Sequence, residues 1–325
     1  MATSLASDFK LSDPVMQTGY VETLAQATDA FNGASAGTII MEAPEQKAGH
    51  YERDAFFAAL TNGAVSRRDI TSVADATAVK LAQTEIARVK LNRKVGPIET
   101  TIDALRKIGS TVDVISYVIG QQVAKGQLVE GLNSALASLT AAISTVGATA
   151  LYDGTAGTIT HTALATMNAL FGDRSNDIAC YVMHSKVYHD LIKQAISDKV
   201  TEVAGITIRE GTVATMGRPV IVTDSASLII DLTTDQYVTL GLTRGAVSLQ
   251  MTEPMQLVNQ LITGQEQLIQ RFQGEYAMNM GLKGFTWDVT NGGANPDATA
   301  LGTGSNWDKV AASLKDIAGV AMKTL

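Results

Sequence analysis

Apolar positions change their spacing from segment to segment along this chain, and each spacing predicts an element. Val79, Leu81, Ala87, Val89, Leu91 and Val95 fall on odd positions, with Lys80, Arg88, Lys90 and Lys94 on the opposite parity. A period of two is that of a strand with one apolar and one basic face. Gly96-Pro97 is expected to end it, because proline fixes its own φ and biases the residue before it away from helix. Ile98, Ile102, Leu105 and Ile108 then return at helical spacing. The longest helical signal runs over residues 113–146, carried by Val114, Val118, Leu128, Leu132, Leu136, Leu139, Ile143 and Val146. At ~1.5 Å per residue such a helix is about 50 Å long. Gly120, Gly126 and Gly131 each disfavour its interior by about 0.8–1 kcal/mol, so they are expected to admit another backbone at close range. Gly147 is a suitable stop.

Upstream, residues 1–36 read as a polar arm with a short helix near Gly19 to Phe31. Residues 37–96 read as a large two-stranded flap. A strand at 37–43 precedes Pro44 and a polar stretch, and Asp54 to Leu60 suggests one or two helical turns. The tip at Ser66-Arg67-Arg68-Asp69 is charged. An isolated hairpin is marginal in water, so a flap of this length is expected to be held by something else. Residues 151–245 alternate strand and helix. Helices at Thr160–Phe171 and Ser185–Ile196 frame buried strands at 178–183 and 219–223, and a further strand covers 236–242. Long strands return over 246–290. A Gly/Asn/Thr linker at 291–304 leads to a tail whose Trp307, Val310, Leu314, Ile317 and Ala321 predict a helix capped by Ser305 or Asn306.

Composition adds constraints. The 325 residues are 46% hydrophobic, 18% charged and 5% aromatic, enough for a sizeable core and two lobes. Between Ala78 and Lys107 the bases at 80, 88, 90, 93, 94, 106 and 107 outnumber the acids at 85, 99 and 103, yet the whole chain carries −7. That ribbon calls for nucleic acid or an acidic surface on another copy, unless it is a solvated face that blocks edge-to-edge aggregation. The acidic total argues against a protein whose main surface binds nucleic acid. It suits one that lies near nucleic acid without adhering. A single cysteine, Cys180, excludes an intrachain disulfide and a thiolate cluster. The opening MATSLASDFK lacks a secretory pattern, and no apolar run approaches the roughly 18 residues of a membrane span.

Catalytic signatures are missing from the sequence. It has no G-x-S-x-G, no G-x-x-x-x-G-K, no H-E-x-x-H and no dinucleotide fingerprint. His184 and His189 are five apart, so one helix face does not present both to a metal. Cys180 with His184 is the nominal nucleophile and base, but Cys180 lies in an apolar strand where it reads as a small hydrophobe. Asp224 reads as a turn residue, and Met255, Met278 and Met280 as core filler. No catalytic, cofactor or metal residue is assigned.

Four segments carry a resemblance: VKLNRKVGPIETTIDALRKIG (89–109), YVMHSKVYHDLIKQAI (181–196), GITIREGTVATMGRPVIVTDS (205–225) and QRFQGEYAMNMGLKGFTWDV (270–289). With the element order, they resemble the major capsid proteins of tailed bacteriophages, the Hong Kong 97-like shell fold. The resemblance covers most of residues 37–290. It implies an α+β fold with an N-terminal arm (1–37), an extended loop (38–96) and a peripheral domain with a long spine helix (97–150 and 246–290). An axial domain (151–245) and a C-terminal linker and helix (291–325) complete it. It implies a homo-oligomer that assembles in the host cytoplasm, as hexamers and pentamers, into an icosahedral virion shell around double-stranded DNA. Scaffolding, portal and decoration proteins are the implied partners; no membrane and no cofactor is implied. Candidate inter-subunit contacts are Lys80, Arg88, Lys90, Arg93, Lys94, Arg67 and Arg68. An encapsulin-like nanocompartment of the same fold and an α/β enzyme using residues 151–245 are the alternatives.

Overall fold

The computed structural model describes residues 11–57, 67, 70–71, 75, 83–107, 111–198, 202–203, 206–207, 217–231 and 236–325. The elements, in chain order, begin with α1 (Asp13–Ala34), β1 (Ile39–Glu42), β2 (Tyr51–Phe57), β3 (Gln83–Thr101), α2 (Ile102–Lys107) and α3 (Val112–Thr145). Next come β4 (Leu151–Asp153), α4 (His161–Ala169), β5 (Ile178–Met183), α5 (Ser185–Asp198), β6 (Glu202–Val203) and β7 (Ile206–Thr207). Then follow β8 (Val220–Val222), β9 (Ile229–Asp231), β10 (Gln236–Thr243), β11 (Val247–Ile262), β12 (Ile269–Leu282) and β13 (Phe285–Trp287). The chain finishes with α6 (Val289–Gly292), α7 (Ala298–Leu301), β14 (Trp307–Lys309) and β15 (Gly319–Thr324).

Two sheets organise the molecule. The first has the order β1-β11-β12-β3-β2, and the second β4-β15-β10-β5-β8 with β9 on β10. The long helix α3 lies against the first and reaches the second through its C-terminal half. It spans 34 residues as the periodicity predicts, with Gly147 at φ +70° just beyond its end.

Its buried face differs from the expected stripe. Val114 and Val118 are 54% and 40% exposed, while Ser116, Gly120, Ala124 and Gln127 are covered. The cause is α1, a 22-residue helix far longer than the short one expected, which packs along α3. A Cβ on Gly120 would sit 2.1 Å from the Met16 carbonyl oxygen, and one on Gly19 would sit 2.5 Å from that of Tyr117. Paired glycines thus let the two backbones touch. The expectation of close approach fails at Gly126, which faces open space, and at Gly131, which meets only side chains at ordinary distance. Tyr20 and Met16 seal the seam, and the Tyr20 hydroxyl donates to Gln127 Oε1 at 2.6 Å.

The second sheet is built on β5, whose Ile178, Cys180, Tyr181, Val182 and Met183 are all buried, as suits a central strand covered on both faces. The tail departs from its expected helix. Trp307–Lys309 pairs with Phe285–Trp287, and Gly319–Thr324 enters the second sheet between β10 and β4. Ile317, Ala318, Val320, Ala321 and Met322 are fully buried. An unbroken apolar run of that length belongs to a strand covered on both faces, and the helical spacing of the selected residues was coincidental. The expected linker is also packed: Leu301 is fully buried, and the Trp287 and Trp307 indole N–H groups donate to the Gly293 and Leu301 carbonyls, each at 3.0 Å.

Candidate assembly surface

The basic ribbon lies on β3, and three expectations about that strand change. First, it does not end at Gly96-Pro97. It runs on to Thr101, with Gly96 at φ +80° and a cis bond to Pro97 forming an irregularity opposite Phe272–Gly274. Ile98 is therefore a strand residue, and α2 starts only at Ile102. Second, Asp54–Phe57 belongs to strand β2 and is not helical; residues 58–60 lie outside the described residues. Third, β3 is supported within its own chain. It pairs with β12 from Thr101 to Val89, and with β2 from Val89 to Gln83. The flap is two-stranded only beyond Val89, where β12 no longer accompanies it.

The candidate basic residues separate accordingly. Lys90 is only 6% exposed. Its Nζ donates to Glu253 Oε1 on β11 at 2.5 Å and to the Lys47 carbonyl at 3.4 Å. Arg93 emerges on the other face. Its Nε donates to Glu130 Oε1 on α3 at 3.0 Å, and its Nη2 to the Pro296 carbonyl at 3.1 Å. Arg88 is half-buried, 3.9 Å from Glu42 and 3.8 Å from Asp54. Its stem crosses Gly281, where any Cβ would lie 3.0 Å away. Internal partners therefore account for Lys90 and Arg93. Lys94, opposite Glu275 on β12, and Arg67 are exposed. Lys80 and Arg68 lie outside the described residues.

Strand pairing places Gln250, Asn279 and Lys90 side by side across β11, β12 and β3. The β1–β2 connection folds over this buried polar row. Gln250 Nε2 donates to Glu45 Oε2 at 3.2 Å, Asn279 Nδ2 donates to Glu52 Oε2 at 3.1 Å, and Lys47 pairs with Glu52. Burial pushes the Glu52 carboxyl up. The hydrogen bonds from Lys47 and Asn279 and the nearby Lys47 and Arg88 charges outweigh it and hold the group below the usual carboxylate range. Sequence reading missed this cluster because its acids lie far along the chain from β3; only the alternation of β11 and β12 hinted at a buried polar row.

Beside Arg93, a groove of about 900 Å³ opens between the first half of α3 and the β3–β12 face. Ile98, Val114 and Val118 leave 44%, 54% and 40% of their surface on it. In the second sheet, the nominal nucleophile Cys180 is fully buried, and burial pushes its thiol up to about 11. His184 instead accepts the Lys186 backbone N–H at Nδ1 and stacks at 4.8 Å on Tyr237, with Asp224 3.7 Å from Nε2. Among the described residues no group of His, Cys, Asp and Glu has metal-site geometry, and no helix is long and apolar enough to cross a membrane.

A long helix along a sheet that extends a two-stranded flap, joined to a second α/β lobe, is the architecture of phage capsid shells. A chain from the Cyanophage Pam1 capsid asymmetric unit matches with a TM-score of 0.52 at 12% identity, over 90% of this chain and 91% of its own. A chain from Mycobacterium phage Bobi matches at 0.51 and 11%, over 100% and 95%. One from Mycobacterium phage Cain matches at 0.50 and 10%, over 89% and 88%. No curated protein matches the sequence. The family model described as Gp13-like, Major capsid protein 13-like, matches residues 8–321, and the chain belongs to that family. It is a structural subunit of a phage virion shell.

Proposed function

We propose that this chain is the repeating unit of an icosahedral shell, arranged as hexamers and pentamers around double-stranded DNA, with no catalytic step of its own. The first sheet with α3 serves as the peripheral domain. The second sheet serves as the axial domain, and it includes β15. The flap lies across a neighbouring copy, and Lys94, Arg67, Arg68, Lys80 and Arg88 are its candidate contacts. Scaffolding, portal and decoration proteins are the heterologous partners of this reading. The observation that carries it is the family match across residues 8–321, and the β2–β3 ladder that leaves the sheet supports it. Exposed ion pairs contribute only ~0–1 kcal/mol each, so such contacts set register through repetition across many copies. The purified protein is expected to elute as megadalton particles that appear as round shells in negative stain. A stable monomer at high concentration would overturn the proposal.

A further inference from the structure

We infer that Lys90 and Arg93 are positioning residues that together fix the angle at which the flap leaves the subunit, and so the geometry of the shell. The inference rests on the shell reading above. Both residues sit within four positions of Val89, where β3 parts from β12 and continues with β2 alone.

They grip β3 from opposite faces, since side chains an odd number of residues apart project to opposite sides of a strand. On one face Lys90 ties β3 to Glu253 of β11, and through the Lys47 carbonyl to the β1–β2 connection. The Lys90 backbone N–H also donates to the His50 carbonyl at 3.1 Å, where that connection enters β2. On the other face Arg93 ties β3 to Glu130 on α3 and to Pro296 in the C-terminal segment. Asn295 Oδ1 accepts the Asn92 N–H at 2.9 Å beside it. Further out, Thr286 Oγ1 accepts the Ala87 N–H at 2.8 Å and occupies the edge that β12 has vacated. A hairpin has little stiffness of its own. Its direction is therefore set at its root, and these residues hold the root to the sheet, the helix and the C-terminal segment at once.

Lys90→Met is the cleanest test. It keeps the buried stem and removes the charge, and Glu253, whose side chain is 54% exposed, is left facing water. The soluble subunit is expected to keep its far-UV spectrum and to melt within a few degrees of wild type. Amide exchange in residues 51–57 and 83–89 should rise at least tenfold, while exchange in α3 stays unchanged. Assembly should yield open or unevenly sized particles in place of a single diameter. Arg93→Met should do the same from the other face, and Lys125→Met, at an exposed site on α3, should do neither. Wild-type exchange at the flap with uniform closed shells from both variants would overturn the inference. If Lys90→Met fails to fold, Arg93→Met and Glu253→Gln carry the same exchange comparison. If wild type itself forms no particles, the shell reading fails, while flap exchange in the soluble subunit still decides whether the clamp exists.

Discussion

Replacing Gly120 with alanine tests the seam between α1 and α3 directly. In an unobstructed helix the change is favourable by about 0.8–1 kcal/mol. Here the added Cβ would stand 2.1 Å from the Met16 carbonyl oxygen and 2.9 Å from the Tyr20 nitrogen. Both obstacles are backbone, so no rotamer change relieves them, and α1 must move by about 1 Å or more to restore ordinary contact. Met16 and Tyr20 are 0% and 2% exposed. Full burial of such side chains stabilises by about 1.5–3 kcal/mol each, so complete release of α1 would cost about 3–6 kcal/mol. Partial retreat is an overpacking problem of about 1–3 kcal/mol. After the helix-propensity gain of about 1 kcal/mol, the expected net loss is up to about 2 kcal/mol for partial retreat and about 2–5 kcal/mol for complete release. Gly126→Ala, six residues along and facing open space, should instead gain up to about 1 kcal/mol. Urea unfolding of dissociated subunits, followed by circular dichroism, should move the two midpoints in opposite directions. Equal or higher stability for Gly120→Ala would refute the backbone-contact argument.

Three further outcomes are expected. Tyr20→Phe strands the buried Gln127 acceptor and should cost about 1–3 kcal/mol in the same urea assay. Cys180, with its thiol pushed up to about 11 by burial, should not react with a disulfide reagent at pH 8 until the chain unfolds; prompt labelling would contradict the burial. Glu52 is held below its ordinary value. Its contribution is therefore complete above the unfolded carboxylate value of about 4.3 and is lost as pH falls through the lower folded value. The exchange protection factor of the Lys90 amide should decline below about pH 4, and Lys47→Met should shift that decline toward higher pH.

Sequence periodicity located the large pieces well because large apolar residues mark them. The length of α3, the buried β5 and the long β11–β12 pair follow from Leu, Val, Ile and Met at strand or helix spacing. Three features escaped. The α1–α3 seam is made by Gly19, Gly120, Ser116 and Ala124, which carry little hydrophobic signal and acquire a face only when the partner helix is known. The tail satisfies both periods, and only its pairing with β10 decides for a strand. The basic residues of β3 gave the correct chemistry and an incomplete location: Lys90 and Arg93 find their acids at Glu253 and Glu130, 163 and 37 residues away, and no local pattern links such positions.

The placement of β15 has a consequence for synthesis. Its partners are strands at 236–243 and 151–153, so a ribosome must release residue 324 before the central ladder of the second sheet can close. A nascent chain stalled earlier already holds its flap, α3 and the whole first sheet, with an open slot where β15 belongs. A chain whose synthesis has not passed residue 324 therefore has no closed second sheet to offer a neighbour, and β15 couples completion of that lobe to translation of residues 319–324.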